Sequence, residues 1–141
     1  MSWYKKAQLV EDFVSEVDSR YPRASGSLGG LMIDSGAIPN TSSIGSTFNK
    51  YNVLNGIREI PMSEFGGPKS VFYASNDFRS SEDLSRKIQM TKKITPLIIA
   101  VDKNGPYILE GSHRYVALHM LNIQSLPALV VVDLDDNNEL V

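Results

Sequence analysis

The chain contains no cysteine. That absence removes thiol nucleophiles, disulfides, and thiolate-bound zinc or iron–sulfur clusters together. Long apolar runs are missing too. The longest, at residues 97–101 and 126–132, have the length of a strand, far short of the roughly 18 residues a membrane span needs. Met1-Ser2-Trp3-Tyr4-Lys5-Lys6 does not lead into an apolar core, because Glu11 and Asp12 interrupt it, so it does not read as a secretory signal. Neither sign of charge dominates. With 14 Lys and Arg against 16 Asp and Glu, the formal net charge is -2, which excludes a uniformly basic nucleic-acid coat but not a local basic patch. These absences predict a cytoplasmic protein with no membrane partner.

What is present is ordinary for one folded domain: 141 residues, 42% hydrophobic and 21% charged. A chain of this length buries about two-thirds of its unfolded surface and needs no disulfide or metal staple.

Three regions separate by composition. Between Trp3 and Tyr21, apolar residues recur at Trp3, Ala7, Val10, Phe13, Val14, Val17 and Tyr21, the spacing of one helix face, with Pro22 at the end. Residues 23–55 are rich in Ser, Gly, Thr and Asn. The run Ser25-Gly-Ser-Leu-Gly-Gly30 lacks both strand alternation and the Lys-Ser/Thr ending of a P-loop, and it reads as a flexible linker, with an ordered surface or lid loop as the alternative. Ile33 and Ile38 are candidates to dock on the core. Residues 1–55 are therefore expected to hold a helix plus a loop, and residues 56–141 a compact unit.

That unit reads as α/β (α+β): a small mixed sheet with packed helices. Ile57-Arg-Glu-Ile60 is a short strand halted by Pro61, with a turn at residues 62–65; residues 71–73 suggest another. Ser80 or Ser81 is expected to cap a helix over residues 82–92, with Leu84, Ile88 and Met90 inward. Residues 97–101 form a buried strand, residues 102–105 a hairpin turn and residues 107–109 the returning strand. A helix from Ser112 or His113 to about Leu121 and a last strand over residues 126–132 complete the unit.

The chemistry concentrates at Glu110-Gly-Ser-His-Arg114, where a strand runs directly into a helix. Gly111 permits close backbone approach, and the free N–H groups of the helix start attract anions by geometry and dipole. Arg114 adds donors matched to phosphate oxygens, His113 a further polar contact, and Ser112 a hydroxyl for the helix cap or for a ligand. Read alone, the same residues also describe an ordinary helix cap followed by a surface arginine. His113 and His119 cannot share a metal ion, since six residues of helix turn them about 240° apart, and no metal site is expected.

Residues 57–134 resemble the ParB/sulfiredoxin superfamily, including its ParB-like N-terminal and nuclease-like domains. The resemblance rests on Ile60-Pro61, the helix through Leu84 and Ile88, Thr95-Pro96 before an apolar strand, Gly111-Ser-His-Arg-Tyr115, Ala117, Leu121, and the closing strand from Pro127. Gly-Ser-His-Arg-Tyr stands where sulfiredoxins have Gly-Cys-His-Arg-Tyr and ParB proteins Gly-Glu-Arg-Arg. The resemblance implies that Gly111, Ser112, His113 and Arg114 hold nucleotide phosphates, with Thr95 and Pro96 near the same pocket. The implied ligands are ATP, as in sulfiredoxins, or CTP, as in ParB clamps, with magnesium. Some relatives are kinases of small metabolites and others have been described as nucleases.

Departures restrict what carries over. Ser112 cannot supply the thiolate of sulfinic-acid reduction, so that activity is excluded. Only nine residues follow Val132, which leaves no expectation of a helix-turn-helix reader, and the tail with Asp133, Asp135, Asp136 and Glu139 is acidic. Glu110, the carboxylate abutting the motif, is a candidate general base or magnesium contact, or a structural group. Two functions follow. One is nucleotide binding, with hydrolysis or phosphoryl transfer to a small acceptor as the available reactions. The alternative is a non-enzymatic ParB-like module for DNA or a protein partner, of phage or mobile-element origin, using Arg79, Arg86, Lys87, Lys92, Lys93 and Arg114.

Overall fold

The structure, a computed structural model, describes residues 3–34, 51–66 and 75–134. The expectations for Ile38, for residues 71–73 and for the acidic tail from Asp135 fall outside them. No helix among the described residues is long and apolar enough to cross a membrane.

The helical spacing of the N-terminal region produces α1 (Trp3–Arg20). It buries Phe13, Val17 and, just past its end, Tyr21, which lie four residues apart and so line one stripe. Residues 25–30, expected as a linker, are instead a hairpin of β1 (Ser27–Leu28) and β2 (Leu31–Ile33). Gly29 and Gly30 turn it at φ +57° and +83°, a region that L side chains avoid. Leu28, Leu31 and Ile33 are buried, so the hairpin is a packed element. Its β2 strand pairs in parallel with β5 (Lys93–Ile94).

The main sheet contains β3 (Tyr51–Val53), β4 (Arg58–Pro61), β6 (Leu97–Asp102), β7 (Gly105–Glu110) and β8 (Ser125–Asp133). Its order is β3-β8-β6-β7, and β4 also pairs with β8. Strand β6 runs parallel to β8, and the remaining pairings are antiparallel. The central strands read as nearly continuous apolar runs because both of their faces are buried. Leu97, Ile99, Val101, Val130 and Val132 join the main core, while Ile98, Ala100 and Val131 form a second cluster with Val53, Tyr107 and Leu109.

Two helices flank the site, α2 (Ser75–Thr91) and α3 (Ser112–Met120), and they pack on one another. Helix α2 extends well N-terminal to the expected cap at Ser80 or Ser81: Ser81 is fully buried inside it. Its inward stripe is Ser81, Ser85 and Ile88, and Met90 points away, 84% exposed. Small hydroxyl residues let the two helix backbones approach, and their polarity hid the stripe from a hydrophobic reading.

The hairpin of β6 and β7 fixes the place of the site. Ile98 pairs with Glu110, so the start of β6 lies beside the end of β7. Thr95-Pro96 and the turn into α3 thus meet at one end of the sheet.

Candidate functional site

Strand β7 ends at Glu110, and Gly111 turns the chain into α3 at φ +112°. Ser112 is the first helical residue and Gly111 holds the N-cap position. A glycine cap has no side-chain oxygen to accept the first-turn N–H groups, unlike the usual Ser, Thr, Asp or Asn. Gly111 itself therefore answers none of those donors. The position is also crowded: a Cβ on Gly111 would stand 2.6 Å from Leu97 Cγ and 3.1 Å from Arg114 Nη2.

The same measurement places the Arg114 guanidinium directly against Gly111. Arg114 is half-buried, and its buried Nε has no hydrogen-bond partner. Burial pulls its pKa below the ordinary guanidinium value, and the nearby Glu110 carboxylate acts in the opposite direction. A cation held partly out of water with an unanswered N–H is suited to an anion.

Two clefts open on either side of Arg114 and share Leu84 with it. The first, about 350 Å³, is walled by residues 110–114 with Ile108 and Leu109. It gathers Glu110, Gly111, Ser112, His113 and Arg114; His113 is exposed and Ser112 half-buried. The second, about 340 Å³, has Leu84, Ile88 and Ile94 as apolar lining and Asp34, Lys87, Thr91, Lys93, Thr95 and Arg114 as polar lining. Pro96 is buried ahead of β6 and lines neither of these clefts.

Sequence reasoning missed Asp34 and Thr91 as lining residues and read Lys87 and Lys93 as a nucleic-acid surface. The signal for four of the cleft positions was present: Leu84, Lys87, Ile88 and Thr91 follow i, i+3, i+4, i+7 spacing on α2. Asp34 carried no local signal, because a backbone hydrogen bond donated by its N–H to the Ile94 carbonyl (2.9 Å) places it. Among the described residues, ion pairs engage Arg20, Arg58 and Arg86, and none involves Asp34, Lys87 or Lys93. Arg86 is held at 3.0 Å from both Glu82 and Asp83. Among the described residues, no group of three His, Asp or Glu side chains could hold a metal ion.

These features define a small α/β domain with a glycine-capped turn at a strand-to-helix junction. Its element order from β4 to β8 is the order expected from the ParB/sulfiredoxin resemblance. Two solved structures are similar to the chain. A sulfiredoxin from Arabidopsis thaliana shares 22% identity at a TM-score of 0.43, over 52% of this chain and 82% of that one. A Pnob8-like ParB-N domain shares 21% identity at a TM-score of 0.41, over 63% of this chain and 33% of that one. No family model and no curated protein matches the sequence.

Proposed function

We propose that the chain binds a nucleotide, with its phosphates on the turn at residues 111–114 and its nucleoside in the cleft beyond Arg114. The observation that carries this reading is the Gly111–Arg114 arrangement. Contact with Leu97 disfavours a side chain at the cap, Gly111 supplies no side-chain cap to the helix start, and a partly desolvated arginine lies against the same turn. Phosphate oxygens would satisfy both sets of donors.

The second cleft suits the remainder of such a ligand. Its apolar lining accepts a flat heterocycle, and Lys87 and Lys93 add positive charge beside Arg114. ATP or CTP are the nucleotides implied by the sequence resemblance. Magnesium would neutralise the outer phosphate oxygens, with Glu110 as the adjacent carboxylate, and Glu110 is also the candidate base for hydrolysis or transfer to a small acceptor. A DNA-binding surface is less well supported: Arg86 is engaged by Glu82 and Asp83, while Lys87, Lys93 and Arg114 converge on a cleft sized for a small ligand.

A thermal-shift panel of ATP, CTP, GTP and ADP, with and without magnesium, tests the proposal. At least one nucleotide should raise the melting temperature, and Arg114→Ala should abolish the rise. No shift with any nucleotide, together with salt-sensitive binding to duplex DNA, would favour the binding-module alternative.

A further inference from the structure

We propose that Asp34 is a specificity-determining residue of this cleft: its carboxylate accepts hydrogen bonds from the ribose hydroxyls, so ribonucleotides bind in preference to 2′-deoxyribonucleotides. The inference rests on the nucleotide reading and goes beyond it. Asp34 comes from the β1–β2 hairpin, which precedes the stretch that carries the family resemblance. The backbone bond from Asp34 to Ile94 and the parallel pairing of β2 with β5 hold it at the cleft.

A carboxylate in a cleft with Lys87, Lys93 and Arg114 has a definite consequence. It repels phosphate locally, which directs the phosphates toward the α3 end of the site. An ionised carboxylate is an acceptor only, so it requires donors from the ligand. A nucleotide offers two kinds, sugar hydroxyls and base N–H groups. The base belongs against Leu84, Ile88 and Ile94, where apolar surface is available. The hydrophilic sugar then takes the polar side of the cleft, where Asp34 is exposed to solvent and, among the described residues, makes no ion pair. Hydrogen bonds to an ionised acceptor are the stronger kind.

The test compares dissociation constants of ATP and CTP with those of dATP and dCTP, for the wild-type chain, Asp34→Ala and Asp34→Asn. The deoxynucleotides should bind about tenfold more weakly to the wild type, a difference of one charge-assisted hydrogen bond at an exposed site. Asp34→Ala should bring the ratio close to one, and Asp34→Asn, which keeps an acceptor without the charge, should give an intermediate ratio. Unliganded melting temperatures should match, since the side chain is exposed and the fixing bond is made by backbone. Equal wild-type binding of ribo- and deoxynucleotides, or a ratio unchanged in Asp34→Ala, overturns the inference and leaves nucleotide binding intact. A change in preference among bases instead of sugars also overturns it. Absence of binding by every nucleotide overturns the nucleotide reading itself.

Discussion

Arg58 Nη1 lies 2.6 Å from Asp18 Oδ1 and ties helix α1 to strand β4. The same guanidinium donates to the backbone carbonyls of Asp18, Tyr21 and Asn55 at 3.2, 3.1 and 2.9 Å. The two partners are unequal, since the Arg58 side chain is 5% exposed and that of Asp18 54%. Arg58→Ala should therefore cost about 2–4 kcal/mol, because two carbonyls at the end of α1 and one in the turn before β4 lose their donor. Asp18→Ala should cost less than about 1 kcal/mol, because a half-exposed carboxylate contributes little through its ion pair. Urea unfolding of both variants checks the asymmetry.

Gly111 and Gly105 provide a matched pair. Their φ angles are +112° and +118°, but an added Cβ would meet Leu97 and Arg114 at Gly111 and nothing within 4 Å at Gly105. Gly105→Ala should cost about 1–2 kcal/mol from backbone strain alone. Gly111→Ala should cost about 1–3 kcal/mol more, since Leu97 must move, and should also abolish the nucleotide-induced thermal shift. Equal costs would mean that the space above Gly111 is not constrained.

Ser81 Oγ is buried with no hydrogen-bond partner, whereas Ser85 Oγ donates to the Glu82 carbonyl at 2.7 Å. Removing an unsatisfied hydroxyl and gaining the helix propensity of alanine should make Ser81→Ala more stable by about 0.5–1.5 kcal/mol. Ser85→Ala should gain less, because it breaks a hydrogen bond. Melting temperatures of the two variants decide the order.

Tyr21 carries an alkaline dependence. Burial raises its hydroxyl pKa above the ordinary value, the hydrogen bond to Arg20 works against the rise, and the bond donated to Glu64 Oε1 (2.9 Å) adds to it. The folded chain then holds this proton at a pH where the unfolded chain has released it. Its contribution is complete below the unfolded value, near pH 10, and is lost as pH climbs through the higher folded value. Tyr21→Phe should cost about 1 kcal/mol at neutral pH. The gap between wild type and variant should narrow as pH rises past about 10. A gap that stayed constant would contradict this account.

Much of the fold was legible because its signals are local. The stripe of Phe13, Val17 and Tyr21 marked α1, and the apolar runs at residues 97–101 and 126–132 marked β6 and β8. Gly111 before a helix gave the turn. What was hidden depends on partners distant in sequence. Strands β1 and β2 have two and three residues, too few for alternation, and their order comes from pairing with β5. The small inward residues Ser81 and Ser85 concealed the true face of α2 and drew Met90 into the expected core. Ser112 was offered as a cap, but its place inside α3 leaves Gly111 at the cap position. Asp34 is invisible locally and reaches the cleft only through the β2–β5 pairing.

The central claim is that Arg114, over the glycine-capped start of α3, holds the phosphates of a nucleotide. Calorimetric titration of magnesium-ATP and magnesium-CTP into the wild-type chain and Arg114→Ala tests it most directly. Removing a charge-assisted phosphate contact of about 1.5–3 kcal/mol should weaken binding by about tenfold to a hundredfold, while the unliganded variant stays folded. No binding to the wild type, or equal affinity in the two proteins, would contradict it.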